Sequence, residues 1–407
     1  MFIYTTWSVL GGGVIYRGVY KVSFLGYRRQ NGSVGTRNYI GIISTVGCAN
    51  DVTWWISQQV KGSTPFIHSQ GCAQTQPDLD IVTRTLICLG WNPNLAGVLV
   101  VSLGCESVSA DKIAEGIAES GKPVKKIVIQ EVGGATAAVA QGSLLAQAMA
   151  IEASRIRREE FPDSELVVGV KCGASDTTSG LLSNPATGAA CDLVIDNGGT
   201  CIFGETTEFM GAEHILARRA ATAQVANKIM DIVARMERRA TAMGFDMRGG
   251  QPTRGNIAGG LTTIEEKSLG AIAKGGTKTI KEVYEYGERP QGKGLFIVDS
   301  PGRELEFLTA LAAAGAQVII FSTGLGAPQG FPFIPVIKVT ANPITYERLP
   351  EHLDVFVELT EEAGTAIARA AKALYQETLA VASGKQTKAE TIGYGNFPNI
   401  FTIGPVL

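Results

Sequence analysis

The sequence predicts an α/β protein of mostly parallel sheets with helices on both faces, arranged as two α/β domains. Three observations predict this. From Tyr39 onward, short apolar runs alternate with longer amphipathic stretches, the rhythm of successive βαβ units. Glycine fills 49 of 407 positions, and hydrophobic residues (45%) outweigh charged ones (18%), which suits a globular chain with many tight turns and not a disordered one. A Gly-rich polar stretch, residues 244–260, separates two such series, and the length exceeds one ordinary α/β core.

Strands are expected at 39–46, 64–68, 97–103, 124–130 and 165–170, where apolar residues run together between turn signals. The amphipathic stretches 49–60, 77–90 and 109–120 are the crossover helices that parallel strands need, and 134–160 reads as a longer Ala-rich helix. A further helix is expected at 214–243. The second series has strands at 294–298, 317–322, 336–340 and 355–358. The expected organisation is a catalytic domain over 24–243, a connecting segment over 244–293, a second α/β domain over 294–385 and an extended tail over 386–407. Residues 1–23 are apolar but lack the basic start of a secretory signal, and are expected to be an extra segment foreign to the native protein.

A formal net charge of −2, with no basic stripe, excludes a polyelectrolyte partner such as nucleic acid. No run of about 18 uncharged apolar residues appears, so a membrane span is not expected and the cytoplasm is. Seven cysteines without a secretory signal point to reduced thiols.

Cys48, Cys72 and Cys105 each follow a glycine just past an expected strand end, in STVGCAN, HSQGCAQ and SLGCES, and Cys172 in VKCGASD repeats the pattern. Their spacings match successive βα units, so the thiols should meet at the carboxyl edge of one parallel sheet, where open α/β sheets bind ligands. Thiolate clusters select zinc, copper(I) or iron–sulfur centres; three would leave an open metal position and four would close the site. The plain alternative is small buried hydrophobes at tight turns. Cys88, Cys191 and Cys201 lie inside elements and read as packing.

These motifs carry a resemblance. GYRRQNGSVGTRNY, HSQGCAQ, LVVSLGCES, KCGASD, FGETTEFMGAEHIL, GNIAGGLTTIEEKSLG and FSTGLGAPQG, spread from Gly26 to Val357, resemble the core of the altronate/galactarate dehydratase family. The resemblance implies iron-dependent dehydration of a sugar acid to a 2-keto-3-deoxy acid, the iron being Fe2+ or an iron–sulfur cluster. Many members carry a small β-rich domain before this core, which implies a separately encoded small subunit and an oligomer here. Two-subunit sulfolactate sulfo-lyases share the core and are the second expectation; their pattern lacks cysteine at the positions of Cys48, Cys72 and Cys105, which favours the dehydratase.

Dehydrating a 2,3-dihydroxy acid requires removing a weakly acidic proton beside a carboxylate, holding the enolate-like charge and releasing hydroxide. His68, four residues before Cys72, is the expected acid/base group, with a backbone-bonded turn histidine as the alternative. Lys171 is a second base or a carboxylate anchor. Arg37 is expected to grip the substrate carboxylate bidentately, unless it forms an ion pair. Glu205 and Glu208 would bind hydroxyls or metal, or else begin a solvated helix. Lys267 follows a GGLTT turn that could hold an anion, with Thr263 also a helix cap, and Thr323 and Gln329 would close over the substrate. A closed structural metal site in a non-catalytic binding subunit is the competing class. A nicotinamide dehydrogenase is disfavoured because no G-x-G-x-x-G follows the first strand.

Overall fold

The structure, a computed structural model, describes residues 23–359, 362–395 and 398–407, so the expectation for residues 1–23 lies outside the described residues except for Ser23. The described chain opens with β1 (Ser23–Arg28) and β2 (Val34–Gly35). A four-stranded parallel sheet follows, made of β3 (Tyr39–Ser44), β4 (Ser63–Phe66), β5 (Leu95–Ser102) and β6 (Val124–Val128) in the order β4-β3-β5-β6. Every residue of β5 is buried, as expected of a parallel strand covered on both faces. The helices Asn50–Gln59 and Ala135–Ser154 pack on one face; Gln76–Gly90 and Ala110–Ala118 pack on the other.

The expected 134–160 helix ends at Ser154, and residues Glu159–Pro162 form β7, antiparallel to β1. That pairing carries the chain out of the first sheet. The remaining strands are β8 (Val167–Gly173), β9 (Thr200–Gly204), β10 (Ile280–Tyr284), β11 (Gly294–Val298), β12 (Val318–Thr323), β13 (Val336–Thr340) and β14 (Val355–Phe356). They build one seven-stranded parallel sheet in the order β10-β11-β9-β8-β12-β13-β14. Strands from both sides of the 244–293 segment thus share a sheet, and the sheets divide between Val128 and Val167, not at residue 244. β8 joins this second sheet because its backbone pairs with β9 and β12, so the thiol edge expected on one sheet is split over two.

The two sheets share a core. Leu79, Leu86, Val98 and Val100 from the first unit and Ile202, Phe307, Leu311 and Ile319 from the second belong to one buried cluster. A polar clasp sets their mutual register: buried Asn94 donates to the carbonyls of Gln317 (2.9 Å) and Phe333 (3.0 Å) and accepts from the Thr36 N–H (2.8 Å). Asn92 donates to the carbonyls of Ala312 and Ala316, which places the carboxyl ends of helices Gln76–Gly90 and Glu304–Ala313 together. Residues 399–404 bridge the amino-terminal turns of the same two helices, so the helices run the same way. Helices of βαβ units run opposite to their strands, and the carboxyl edges of both sheets therefore open on one side of the molecule. The expected tail over 386–407 contains a short helix, Lys388–Thr391, closed by a Thr387/Glu390 capping box, before it extends. No helix among the described residues is long and apolar enough to cross a membrane.

Candidate active site

At the carboxyl end of β8, Lys171 and Cys172 both meet a buried cluster with Glu205 and Glu208, which follow β9: the long Lys171 side chain reaches Glu205, and Cys172 uses its own N–H and thiol. The Lys171 ammonium donates to Glu205 Oε1 (2.7 Å), and the Cys172 N–H donates to Glu205 Oε2 (2.9 Å). Lys274 enters from the turn after the helix Ile264–Ile272. Its Nζ lies 2.9 Å from Glu205 Oε2, 3.2 Å from Cys172 Sγ and 3.7 Å from Glu208 Oε2. The Cys172 thiol donates to Glu208 Oε2 (3.0 Å), and Lys267 holds the other oxygen at 3.1 Å. Lys171, Cys172, Glu205 and Lys274 are fully buried; Lys267 alone is partly open and also donates to Gln251 Oε1 (2.8 Å).

Local backbone builds this convergence. Glu205 sits at φ 71°, left-handed for a non-glycine residue, a strained conformation that persists where the surroundings over-determine it. Its turn is locked because the Thr206 N–H bonds the Ser300 carbonyl (2.8 Å) and the Thr206 hydroxyl bonds Asp299 (2.5 Å), tying β9 to β11. Gly188 lets its helix touch the Lys274 turn: a Cβ there would meet the Ala273 carbonyl at 2.0 Å.

The electrostatics are those of paired buried charges. Burial pushes Glu208 upward, but Lys267, Lys274, the Cys172 thiol and Lys171 outweigh it and hold the carboxyl at about 2. Burial opposes the Lys171 and Lys274 charges, yet the carboxylates of Glu205 and Glu208 raise both ammoniums. Burial first, then Glu208, drives the Cys172 thiol well up, so it is neutral. Three ammoniums face Glu205 and Glu208, and Glu304, whose carboxylate stands beside Gly173, also acts on Lys171, so the buried charges are close to balanced around the partly open Lys267.

The other three thiols stand apart from this cluster. Cys48, Cys72 and Cys105 are exposed and follow β3, β4 and β5, neighbouring strands of the first sheet. Their loops are laced together: the Gly47 N–H bonds the Gln70 carbonyl (3.3 Å), and the Ser107 and Val108 N–H groups bond the Gly71 carbonyl (3.0 and 3.3 Å). Gln130 Nε2 lies 3.5 Å from Cys105 Sγ, and the Ser107 hydroxyl 3.9 Å from Cys72 Sγ. Cys172 is therefore not a fourth member of that edge. Cys191 and Cys201 are buried packing residues, as expected.

Two groups of possible donors thus exist, one of two carboxylates and a thiol and one of three exposed thiols. The ligand atoms of Cys172, Glu205 and Glu208 lie within 4.8 Å of one another and could hold a metal ion. Lys274 already bridges all three, however, and a cation entering there would have to displace an ammonium with no exposed route out. The Cys48/Cys72/Cys105 rim is open to solvent and carries three thiols at neighbouring strand ends, but their sulfurs do not gather within 4.8 Å of one another as the Cys172/Glu205/Glu208 atoms do.

Other expected site residues take structural positions. His68 is buried; its Nε2 bonds the Ser44 carbonyl (2.9 Å) and its Nδ1 accepts the Gln70 N–H (3.1 Å). Burial lowers it to about 4, so the ring is neutral with both nitrogens occupied, the turn-histidine alternative. Arg37 directs its donors at Glu390 (2.7 and 2.8 Å) and the carbonyls of Thr36, Val381 and Lys385, leaving none for substrate. Lys171, expected as a base, is a paired ammonium. Thr323 pairs with Gly173 beside Cys172, but its hydroxyl accepts from Gly326 and Ala327 within its own turn; Gln329 accepts at its carbonyl from the buried Lys338, which lies over the same Phe321 ring as Lys171. Glu205, Glu208 and Lys267 do converge, and both glutamates are buried. Lys274 escaped the sequence reading. Its signal was a lysine on the apolar side of AIAKGG, immediately before two glycines.

A family model described as D-galactarate/Altronate dehydratase, C-terminal, matches residues 163–405, and one described as D-galactarate dehydratase/Altronate hydrolase, second domain, matches residues 26–154. The chain belongs to this dehydratase family. The two matches divide where the sheets divide. The (2R)-sulfolactate sulfo-lyase subunit beta of Chromohalobacter salexigens is 39% identical over 380 residues, 92% of this chain and 96% of that protein. The altronate dehydratase of Bacillus subtilis is 36% identical over 355 residues, 84% of this chain and 70% of the relative. The galactarate dehydratase (L-threo-forming) of Escherichia coli is 32% identical over 405 residues, 94% and 77% respectively. These relatives are lyases, and so is the family member described above.

Proposed function

We propose that the chain dehydrates a sugar acid of the altronate or galactarate type to a 2-keto-3-deoxy acid. The observation that carries this is the Lys171/Lys267/Lys274 cluster paired with Glu205 and Glu208, with its one partly open ammonium. The substrate carboxylate replaces Gln251 and Glu208 on Lys267. Glu208 then loses its foremost stabilising cation, its basicity rises from a carboxyl held at about 2, and it takes the proton from the carbon beside the substrate carboxylate. Lys274 and Lys171 hold the enolate-like charge left behind. The bond from the next carbon to its hydroxyl breaks, the proton that Glu208 took passes to that hydroxyl, which leaves as water, and the enol rearranges to the 2-keto acid. Iron, as Fe2+ or an iron–sulfur cluster held by Cys48, Cys72 and Cys105, would supply Lewis acidity when bound.

A second reading is (2R)-sulfolactate sulfo-lyase activity, favoured by the near-complete coverage of the named beta subunit. The proton step is the same; sulfite leaves in place of water. That subunit name supports a separate subunit as partner. A cytoplasmic oligomer is the proposed setting. The test is 2-keto acid formation from altronate and galactarate against sulfite release from (2R)-sulfolactate, with anaerobically purified protein and the small subunit supplied. Keto acid from the sugar acids carries the first reading, sulfite carries the second, and neither product defeats both.

A further inference from the structure

The Cys72 loop is shaped from two sides. From within, Gln74 Oε1 accepts the Gly71 N–H (2.8 Å) and Gln74 Nε2 donates to Gln70 Oε1 (2.8 Å), closing a ring of side chain and backbone around the cysteine. Ala73 takes φ 52°, a left-handed conformation that a residue with a Cβ holds only under constraint. From outside, a distant part of the chain lies across the same loop. Val406 forms an antiparallel bridge with Gln74, and the Leu407 N–H donates to the Ala73 carbonyl (2.8 Å).

That distant segment is itself anchored. Asp78 is 1% exposed, and its two oxygens accept the N–H groups of Ile403 (2.6 Å) and Gly404 (2.8 Å). A carboxylate accepting backbone N–H groups forms hydrogen bonds stronger than neutral ones. Gly404 fits closely: a Cβ there would stand 2.8 Å from both Asp78 Oδ2 and Thr75 Oγ1. Further back, Asn399 donates to Glu306 Oε1 (2.9 Å) and the Phe401 N–H bonds the Tyr286 hydroxyl (3.2 Å), so the segment is moored to the second sheet's unit before it crosses to the first.

We propose that Asp78 and the segment Ile403–Leu407 form a positioning strap that fixes the backbone of the Cys72 loop and so sets this thiol relative to Cys48 and Cys105. Asp78 is a positioning residue, acting through the strap and touching no substrate. The use of the three thiols as a metal site rests on the function proposed above; the strap's hold on the loop does not. Because the strap is moored to both sheets, it also ties the thiol rim to the unit that carries the Cys172 cluster.

The test compares the full chain with Asp78→Asn, with removal of residues 403–407, and with both changes together. Co2+ is titrated anaerobically into metal-free protein while thiolate-to-cobalt absorption is recorded, and amide hydrogen exchange is followed over residues 71–76. Loss of an outer support behind a metal ligand weakens binding by roughly 10-fold or more, so each change should weaken Co2+ by that factor. The combined change should cost no more than the larger single one, because both remove the same contact. Exchange at 71–76 should accelerate while that at 172–173 and 205 stays unchanged. Native Co2+ affinity in the variants would overturn the strap. If the unaltered chain shows no thiolate absorption, the metal reading fails, and hydrogen exchange alone judges the strap: undiminished protection at 71–76 without residues 403–407 overturns it.

Discussion

Replacing Lys274 by Met removes one buried ammonium and keeps most of its volume. At an effective dielectric constant near 20, that charge is attracted by about 6 kcal/mol to Glu205 at 2.9 Å and by about 4–5 kcal/mol to Glu208 at 3.7 Å, before its own desolvation is counted. Desolvation cancels much of this, and breaking a buried pair from one side costs about 3–5 kcal/mol. With an unfolding entropy of about 2.1 cal/mol/K per residue, a cooperative unit of 407 residues should lose about 4–6 °C in Tm. The pH dependence has a definite sign. Glu208 is held at about 2, below its unfolded value, so its contribution is complete above the unfolded carboxyl range and is lost as pH falls toward 2. In Lys274→Met the carboxyl moves up, and protonation relieves the unpaired charge. The Tm deficit should therefore be full at pH 7.5 and shrink as pH falls toward about 4.5. Scanning calorimetry across that range measures it, with Lys274→Met/Glu205→Met expected to recover part of the loss. A Tm at pH 7.5 equal to the unaltered chain, or a deficit that grows on acidification, would refute the paired-cluster account.

Three further outcomes follow from the same geometry. Lys267→Met should raise KM for the acid substrate about 10–100-fold, as expected for losing a charged hydrogen bond of about 1.5–3 kcal/mol, and steady-state kinetics reads it. His68, buried and lowered to about 4, must protonate at a cost, so the protein should lose stability as pH falls from about 6.5 through 4; His68→Gln should abolish that loss in a Tm-against-pH series and reduce kcat by less than the ~100-fold expected for a general acid or base. Cys72→Ser should lose iron in elemental analysis of anaerobically purified protein, whereas Cys172→Ser should retain it; the reverse pattern would move the metal to the buried cluster.

Much of the fold was legible because parallel strands announce themselves. GLFIV is an uninterrupted apolar segment and VIKVT a β-branched run broken by Lys338, and both are strands at the expected residues. The helices at 50–59, 76–90 and 110–118 lie within a few residues of their expected spans, for the same reason of period. Less visible were β1 and β10, short strands whose apolar content does not exceed that of their surroundings. A periodic pattern reports burial, not partners. Nothing local in VVGVKCG says that it pairs with β9 and β12 and not with the first sheet.

The site divides along the same line. Sequence alone determined that thiols would follow strand ends on glycine-marked turns, singled out Glu205, Glu208 and Lys267 as candidates, and showed the resemblance to a dehydratase family, because these are matters of local spacing and motif. Tertiary structure decided which charges meet. It paired Lys171 with Glu205, brought Lys274 from 102 positions beyond Cys172 to within 3.2 Å of its sulfur, and consumed His68 and Arg37 in backbone contacts and an ion pair. The physical reason is that the ionisation and availability of a side chain depend on solvent exclusion and on charges a few ångströms away, and the packing of distant strands sets both.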